Sequence, residues 1–386
     1  MSRKILLPVT LVIALLLFGC NMPGAVSPTA QPSATLSVSP TDTTAPATVP
    51  PATLAASETP LPTNTPVPSS TSAPVATNTT VSLPVPVPAG YTDDRSTPSQ
   101  VIVSFYNAIN RQEYSRAYGY YNDPATQLGN FTTWANGYLN TASVDLVFGQ
   151  ISGDAGMSQV YYSVPVLLKT TAKNNTKANF AACYVVHEVQ QDVLGAPPAM
   201  PMGIDRGAAK VSDVNASDAS ALSTACSDFP AGPMQVPVSA NSLSIDKTNF
   251  LDNRSGPIET VSSFLNALNH KQYVRAYSYF QAPASYPGPY SPYAAGYANT
   301  DTITVTFGAV QSEGAAGSTY YKVPLAELVQ TTSHTTQTFV GCYTLRLAQP
   351  GIQTAPPFQP MGITAGKFTQ VANGTNVTAL LPAACN

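Results

Sequence analysis

Proton transfer needs a carboxylate or imidazole held where its pKa can shift, with donors nearby for the developing charge. The 386-residue chain holds 3 His and 20 Asp or Glu. His187 and Glu188 stand side by side. In an extended segment neighbouring side chains leave on opposite faces, so they read as an exposed polar pair rather than a working dyad. No Ser/His/Asp set, metal-ligating cluster or glycine-rich phosphate loop stands out, so no catalytic residue, metal or cofactor is expected.

The chain carries its own internal control. Arg95-Ser96-Thr97-Pro98 returns 159 residues later as Arg254-Ser255-Gly256-Pro257, and Ser104-Phe105-Tyr106-Asn107 as Ser263-Phe264-Leu265-Asn266. The offset holds without a gap through Phe148-Gly149 and Phe307-Gly308, Cys183-Tyr184 and Cys342-Tyr343, to Cys226 and Cys385. Self-similarity at one period is the mark of a tandem duplication. No histidine is shared: His187 answers to Arg346, His270 to Arg111 and His334 to Asn175. Asp145 answers to Thr304 and Glu188 to Leu347, while Asp154 and Glu313 keep their charge in what reads as a hairpin turn. The copies do share aromatics: Tyr118 with Tyr277, Tyr121 with Phe280, Trp134 with Tyr293, and Tyr138 with Tyr297. These could line a cavity mouth and stack on a sugar, polyketide or peptide, or simply be core. Arg116 and Arg275 fall off the apolar stripe of their helix. They could clamp an anionic ligand or pair with a neighbouring carboxylate or carbonyl.

Four of the five cysteines fall two to a copy. Duplication of a self-contained domain predicts Cys183–Cys226 and Cys342–Cys385 out of three pairings, with metal binding as the rival. Closing loops of this size would stabilise by roughly 4 kcal/mol each on the chain-entropy model. The fifth, Cys20, follows a basic start at Arg3 and Lys4 and an apolar run from Ile5 to Phe18, too short to span a bilayer. Leu17-Phe18-Gly19-Cys20 resembles the bacterial lipobox. That resemblance implies a signal peptide over 1–20, a lipidated Cys20 and a membrane anchor on the extracytoplasmic side of the cell envelope.

Residues 21–90 form a Pro/Ser/Thr-rich spacer, as in Thr59-Pro60-Leu61-Pro62. Such a segment cannot bury enough apolar surface to offset its ordering entropy and reads as a disordered tether. Charged residues are 10% of the chain and the formal net charge is -3. Neither suits a nucleic-acid partner, which demands a basic surface. The rest divides into a first repeat, 91–227, a linker, 228–249, and a second repeat, 250–386.

The elements that must position these side chains follow from periodicity. Thr97-Pro98-Ser99-Gln100 reads as a helix start, and Ile102, Phe105, Tyr106 and Ile109 give the apolar stripe of an amphipathic helix. Val261, Phe264, Leu265 and Leu268 repeat that stripe. A second short helix carries Tyr114, Ala117, Tyr118 and Tyr121, and a third surrounds Trp134 to Tyr138. The segments 143–151, 159–170, 178–189 and 202–211 are rich in Val, Tyr, Phe and Thr and read as antiparallel strands. Helices first and strands after predict an α+β fold, with N-terminal helices packed on a curved antiparallel sheet in each copy.

This order, with the Ser-Phe-Tyr-Asn-Ala-Ile-Asn-x-x-x-Tyr-x-x-Ala-Tyr opening, resembles the NTF2-like (SnoaL/ketosteroid-isomerase-like) superfamily over both copies. The resemblance implies two tandem cone-shaped domains, each with an apolar cavity between helices and sheet. It implies a range of roles: non-catalytic binding of a small ligand or a protein or cell-wall partner, an isomerase, dehydratase or cyclase with one active copy, or a structural module that forms homodimers. The missing shared acid–base residue favours binding.

Overall fold

The computed structural model describes residues 83–156, 158–227, 236–237 and 250–386. The signal segment, Cys20, most of the spacer and all but two residues of the linker lie outside the described residues.

The first long helix, α1 (Pro98–Asn110), starts where its capping residues put it. Thr97 is extended, its side chain accepts from the Gln100 N–H at 3.0 Å, and Pro98 occupies the first turn. Its apolar stripe is buried, with Ile102, Phe105, Tyr106 and Ile109 all at 3% exposure or less. Three short helices follow: α2 (Tyr114–Tyr118), α3 (Pro124–Leu128) and α4 (Phe131–Asn136). Asp123 and Asn130 cap the last two through Thr126 and Thr133, so the aromatic helix begins ahead of the expected Trp134.

The chain then becomes extended. An antiparallel sheet contains β1 (Leu83–Val85), β2 (Thr141–Phe148), β3 (Ser152–Gly156), β4 (Gln159–Ala172), β5 (Lys177–Val189) and β6 (Gly203–Ser212). β4 pairs with β2, β3 and β5, and β5 also pairs with β6. β7 (Val236–Pro237) adds to β3. β1 lies at the sheet edge against β2, so the chain joins the fold before the expected boundary at 90. An edge strand is where a Pro-rich segment can pair, because its outer side needs no donor. Asp154, expected in a turn, belongs to β3, opposite Tyr161.

Every one of these elements from α1 to β6, except α3, has a counterpart in the second half. α5 (Asp218–Ala225) closes the first half, and α6 (Pro257–Asn269), α7 (Tyr273–Tyr277) and α8 (Tyr290–Gly296) open the second. A second sheet contains β8 (Thr300–Phe307), β9 (Gln311–Ala315), β10 (Ser318–Thr331), β11 (Thr336–Ala348) and β12 (Gly362–Val371), in the order β12-β11-β10-β8 with β9 also on β10. The result is an α+β fold with two antiparallel sheets.

Each sheet is covered on both faces. One face of the first sheet packs against α1 through Val144, Leu146, Phe148, Val164, Val166 and Leu168. The other carries Val147 and Leu167 against Ala221 and Leu222 of α5. The second sheet repeats this, with Ala326 and Val340 against Leu381 just beyond α9 (Val377–Leu380). Both covers are tied down covalently, by the disulfides Cys183–Cys226 and Cys342–Cys385, each spanning 43 residues. Replacing Cys183 and Cys226 together by Ala should cost about 2–5 kcal/mol, read as a lower urea midpoint at unchanged slope.

The halves meet along a two-fold-like seam. Asp94 bridges Asn253 in antiparallel fashion. The Arg95 N–H donates to the Asp252 carbonyl at 2.7 Å, and the Arg254 N–H to the Asp93 carbonyl at 2.6 Å. The Asp93 N–H donates to Ser255 Oγ and the Asp252 N–H to Ser96 Oγ, both at 2.9 Å. Each contact thus has its mirror, as in an isologous dimer interface. Ser96→Ala and Ser255→Ala should each orphan a buried N–H and cost on the order of 1–2 kcal/mol, nearly equal in chemical denaturation.

Candidate functional site

The shared aromatics assemble into a run of rings in each half. In the first, the Trp134 ring lies 5.4 Å from Tyr118 and 5.2 Å from Tyr138. Tyr121 packs edge-on against Phe105 of α1 at 5.9 Å. In the second, Tyr293 lies 5.2 Å from Tyr277, 5.3 Å from Tyr297 and 5.8 Å from Phe280. Tyr118 and Tyr277 each donate at 2.6 Å to a carbonyl, of Gly129 and Gly288 respectively. Those two hydroxyls therefore fasten the loops beneath them. The Tyr293 hydroxyl differs: it is buried and meets no hydrogen-bond partner.

Arg116 and Arg275 are both 2% exposed. Arg116 donates to both Glu113 and Asn107 side chains and to the Thr92 carbonyl, and its guanidinium lies 4.7 Å from the Tyr91 ring centre. Arg275 donates to Gln272, Asn266 and the Leu251 carbonyl, over Phe250 at 4.6 Å. Clamping an anion would require breaking these bonds. A polar cleft of about 180 Å³ lies over the seam, bordered by Asp93, Arg95, Asp252 and Arg254. Its two arginines donate to carbonyls of Gly119 and Met202 and of Ser278 and Met361 while stacking on Tyr120 and Tyr279.

His187 and Glu188 separate as adjacent strand residues must. His187 stacks on Tyr161 at 4.3 Å and hydrogen-bonds Gln159 at 3.0 Å. Partial burial lowers its pKa and Asp205 partly offsets that. Glu188 accepts from the Tyr162 hydroxyl at 2.8 Å, and burial raises its pKa against that bond. They do not form one site. Among the described residues no group of three or more His, Cys, Asp or Glu could hold a metal ion, and no helix is long and apolar enough to cross a membrane.

The residue that sequence reasoning missed is Glu327. β10 alternates, so Glu327 lies on the face of Val323, Leu325 and Val329, which belong to the core under α6. Its row across the sheet reads Val305, Glu327, Phe339. The matching row of the first half is Leu146, Leu168, Phe180, apolar throughout. Glu327 Oε1 is buried and has no partner. Burial pushes its carboxyl up to about 7, the nearby Tyr343 hydroxyl easing part of that. Burial, and after it the Glu327 carboxylate, raises the pKa of Tyr286, Tyr297 and Tyr343, which pack in the same core; the Tyr286 hydroxyl donates to the Gly366 carbonyl at 3.3 Å. One charge interrupting an inward-facing apolar alternation was the available signal.

A second exchange accompanies it. In the first half the Tyr184 hydroxyl is hydrogen-bonded to Tyr106 on α1. In the second half Tyr343 stands in place of Tyr184, but Leu265 stands in place of Tyr106. The tyrosine loses its helix partner, and the sheet face it shares carries a carboxyl.

Comparison with protein-family models, curated proteins and solved structures gives no match for the chain.

A carboxyl whose pKa is raised on folding binds its proton more tightly in the native state. Its contribution is therefore fully present below about pH 4.5 and lost as pH rises towards 7. Glu327→Gln should accordingly gain on the order of 2 kcal/mol over the parent at pH 8 and little at pH 4, measured by urea denaturation at both.

Proposed function

We propose that the chain is a lipid-anchored binding protein of the extracytoplasmic cell envelope, held off the membrane by its Pro/Ser/Thr-rich spacer. In this reading it comprises two tandem NTF2-like domains, and a small ligand sits between helices and sheet, against the aromatic run. The observation that carries the reading is the Tyr293 hydroxyl, buried among rings with its hydrogen bond unmade. A buried unmade hydrogen bond costs about 1–3 kcal/mol, which a ligand acceptor would recover. An envelope protein or cell-wall partner would be bound through the same mouth, and the low, net-negative charge argues against nucleic acid.

The test is native mass spectrometry of the full chain after export to an oxidising compartment. A stoichiometric small-molecule adduct is expected, reduced or lost in Tyr293→Ala and Trp134→Ala variants that remain folded by circular dichroism. Unchanged adduct in both variants overturns the cavity reading.

A second reading, an isomerase, dehydratase or cyclase with one active copy, is favoured by Glu327 alone. A carboxyl at about pH 7 beside a tyrosine hydroxyl is matched to proton abstraction near neutrality. Any turnover found should then disappear in Glu327→Gln and persist in His187→Ala and Glu188→Ala.

A further inference from the structure

Glu327 is a charge in search of a partner. Its Oε1 has no hydrogen bond. Among the described residues no salt bridge includes it, and the one group that lowers its pKa is the neutral Tyr343 hydroxyl. A buried carboxylate left this way is expensive unless something brings the compensating charge. Its surroundings are aromatic: Phe339 of β11 stands opposite it, Tyr343 lies on the same face of the sheet, and Tyr297 after α8 and Tyr286 from the loop before α8 pack in the same core. Tyr343 packs in turn on Phe368 of β12 at 4.7 Å, and Phe280 on Tyr286 at 5.5 Å. Val305, Phe339, Tyr286 and Tyr297 are only partly buried, so this side of the core is approachable.

Resting on the reading above that the second half admits a ligand, we infer that it binds a small organic cation, an amine or quaternary ammonium group. The Glu327 carboxylate is the counter-charge, and Tyr286, Tyr297, Phe339 and Tyr343 are the walls. The negative faces of aromatic rings attract a cation most where water is excluded, and a carboxylate at the base adds the charge that rings lack. The site belongs to one half. In the first, Leu168 occupies the place of Glu327, and the Tyr184 hydroxyl is already taken by Tyr106. One cation per chain follows, not two.

Ionisation gives the proposal a sign. A cation needs the carboxylate, so affinity rises with pH through the range where Glu327 loses its proton; a ligand that accepts a hydrogen bond from the protonated acid would show the reverse. The experiment is calorimetric titration of the full chain with choline and with its uncharged isostere 3,3-dimethyl-1-butanol, at pH 6 and pH 8. The expected result is one choline per chain, about tenfold tighter at pH 8 than at pH 6, with the isostere at least about tenfold weaker. Glu327→Gln, with its fold checked by thermal melting, should weaken choline by about tenfold or more and flatten the pH dependence.

Four results overturn it: no choline binding, two cholines per chain, an isostere as tight as choline, or a folded Glu327→Gln variant that binds choline as the parent does. An isostere that binds tightly and is lost in Tyr293→Ala removes the cation while leaving the aromatic ligand site. Silence from both probes together with no adduct in the native mass spectrum removes both.

Discussion

A buried guanidinium has five N–H groups and a charge to satisfy, and in this chain two of them organise everything around the seam. Arg116 reaches from α2 to Asn107 on α1, to Glu113 before its own helix, and to the backbone of Thr92. It thereby fixes the strand-like segment that carries Asp93 to Ser96. Arg275 does the same for Leu251, ahead of Asp252 to Ser255. Only because both segments are pinned can their N–H and carbonyl groups meet in mirrored pairs. The rings under the two cations are exchanged as well: Tyr91 packs on the core of the second half and Phe250 on that of the first. Removing either arginine would leave buried acceptors without donors and loosen both halves at once.

Symmetry of this kind constrains the seam and leaves the interiors free to differ. Tyr106 with Leu168 in one half, and Leu265 with Glu327 in the other, are two ways of surrounding the same sheet tyrosine. The first is closed, because two hydroxyls satisfy each other and the neighbouring row is apolar. The second is open in the electrostatic sense, because a carboxyl stands on the tyrosine's face of the sheet with one of its oxygens buried and unpartnered. Packing alone would be as well served by leucine at both places.

Helices α1, α2 and α4, the β2, β4, β5 and β6 strands and the disulfide partners were legible in the sequence because each rests on a local signal: a cap, a stripe, an alternation, or a repeated cysteine spacing. β3 and α5 were not, since Ser152–Gly156 is too short and too polar to show a pattern, and α5 has a weak apolar face. β1 was hidden because its Pro-rich composition reads as spacer, and only an unpaired sheet edge recruits it. The aromatic run was legible through duplication, but its hydroxyl partners were not, since Gly129 and Gly288 accept through their backbones. Glu327 escaped for a different reason. Chemistry held in common shows itself as a repeat, whereas Glu327 answers to Leu168 in the other copy and matters by being present once.

The pairing of Asp93–Ser96 with Asp252–Ser255 gives a single polypeptide an interface of the kind that joins two identical chains. In a true homodimer every substitution is made twice, so a leucine-to-glutamate change would bury two carboxylates and incur their desolvation twice over. Covalent fusion breaks that obligation. One lobe can keep a closed, stabilising interior while the other takes on a strained, chemically distinct one, and the shared interface holds the specialised lobe in place.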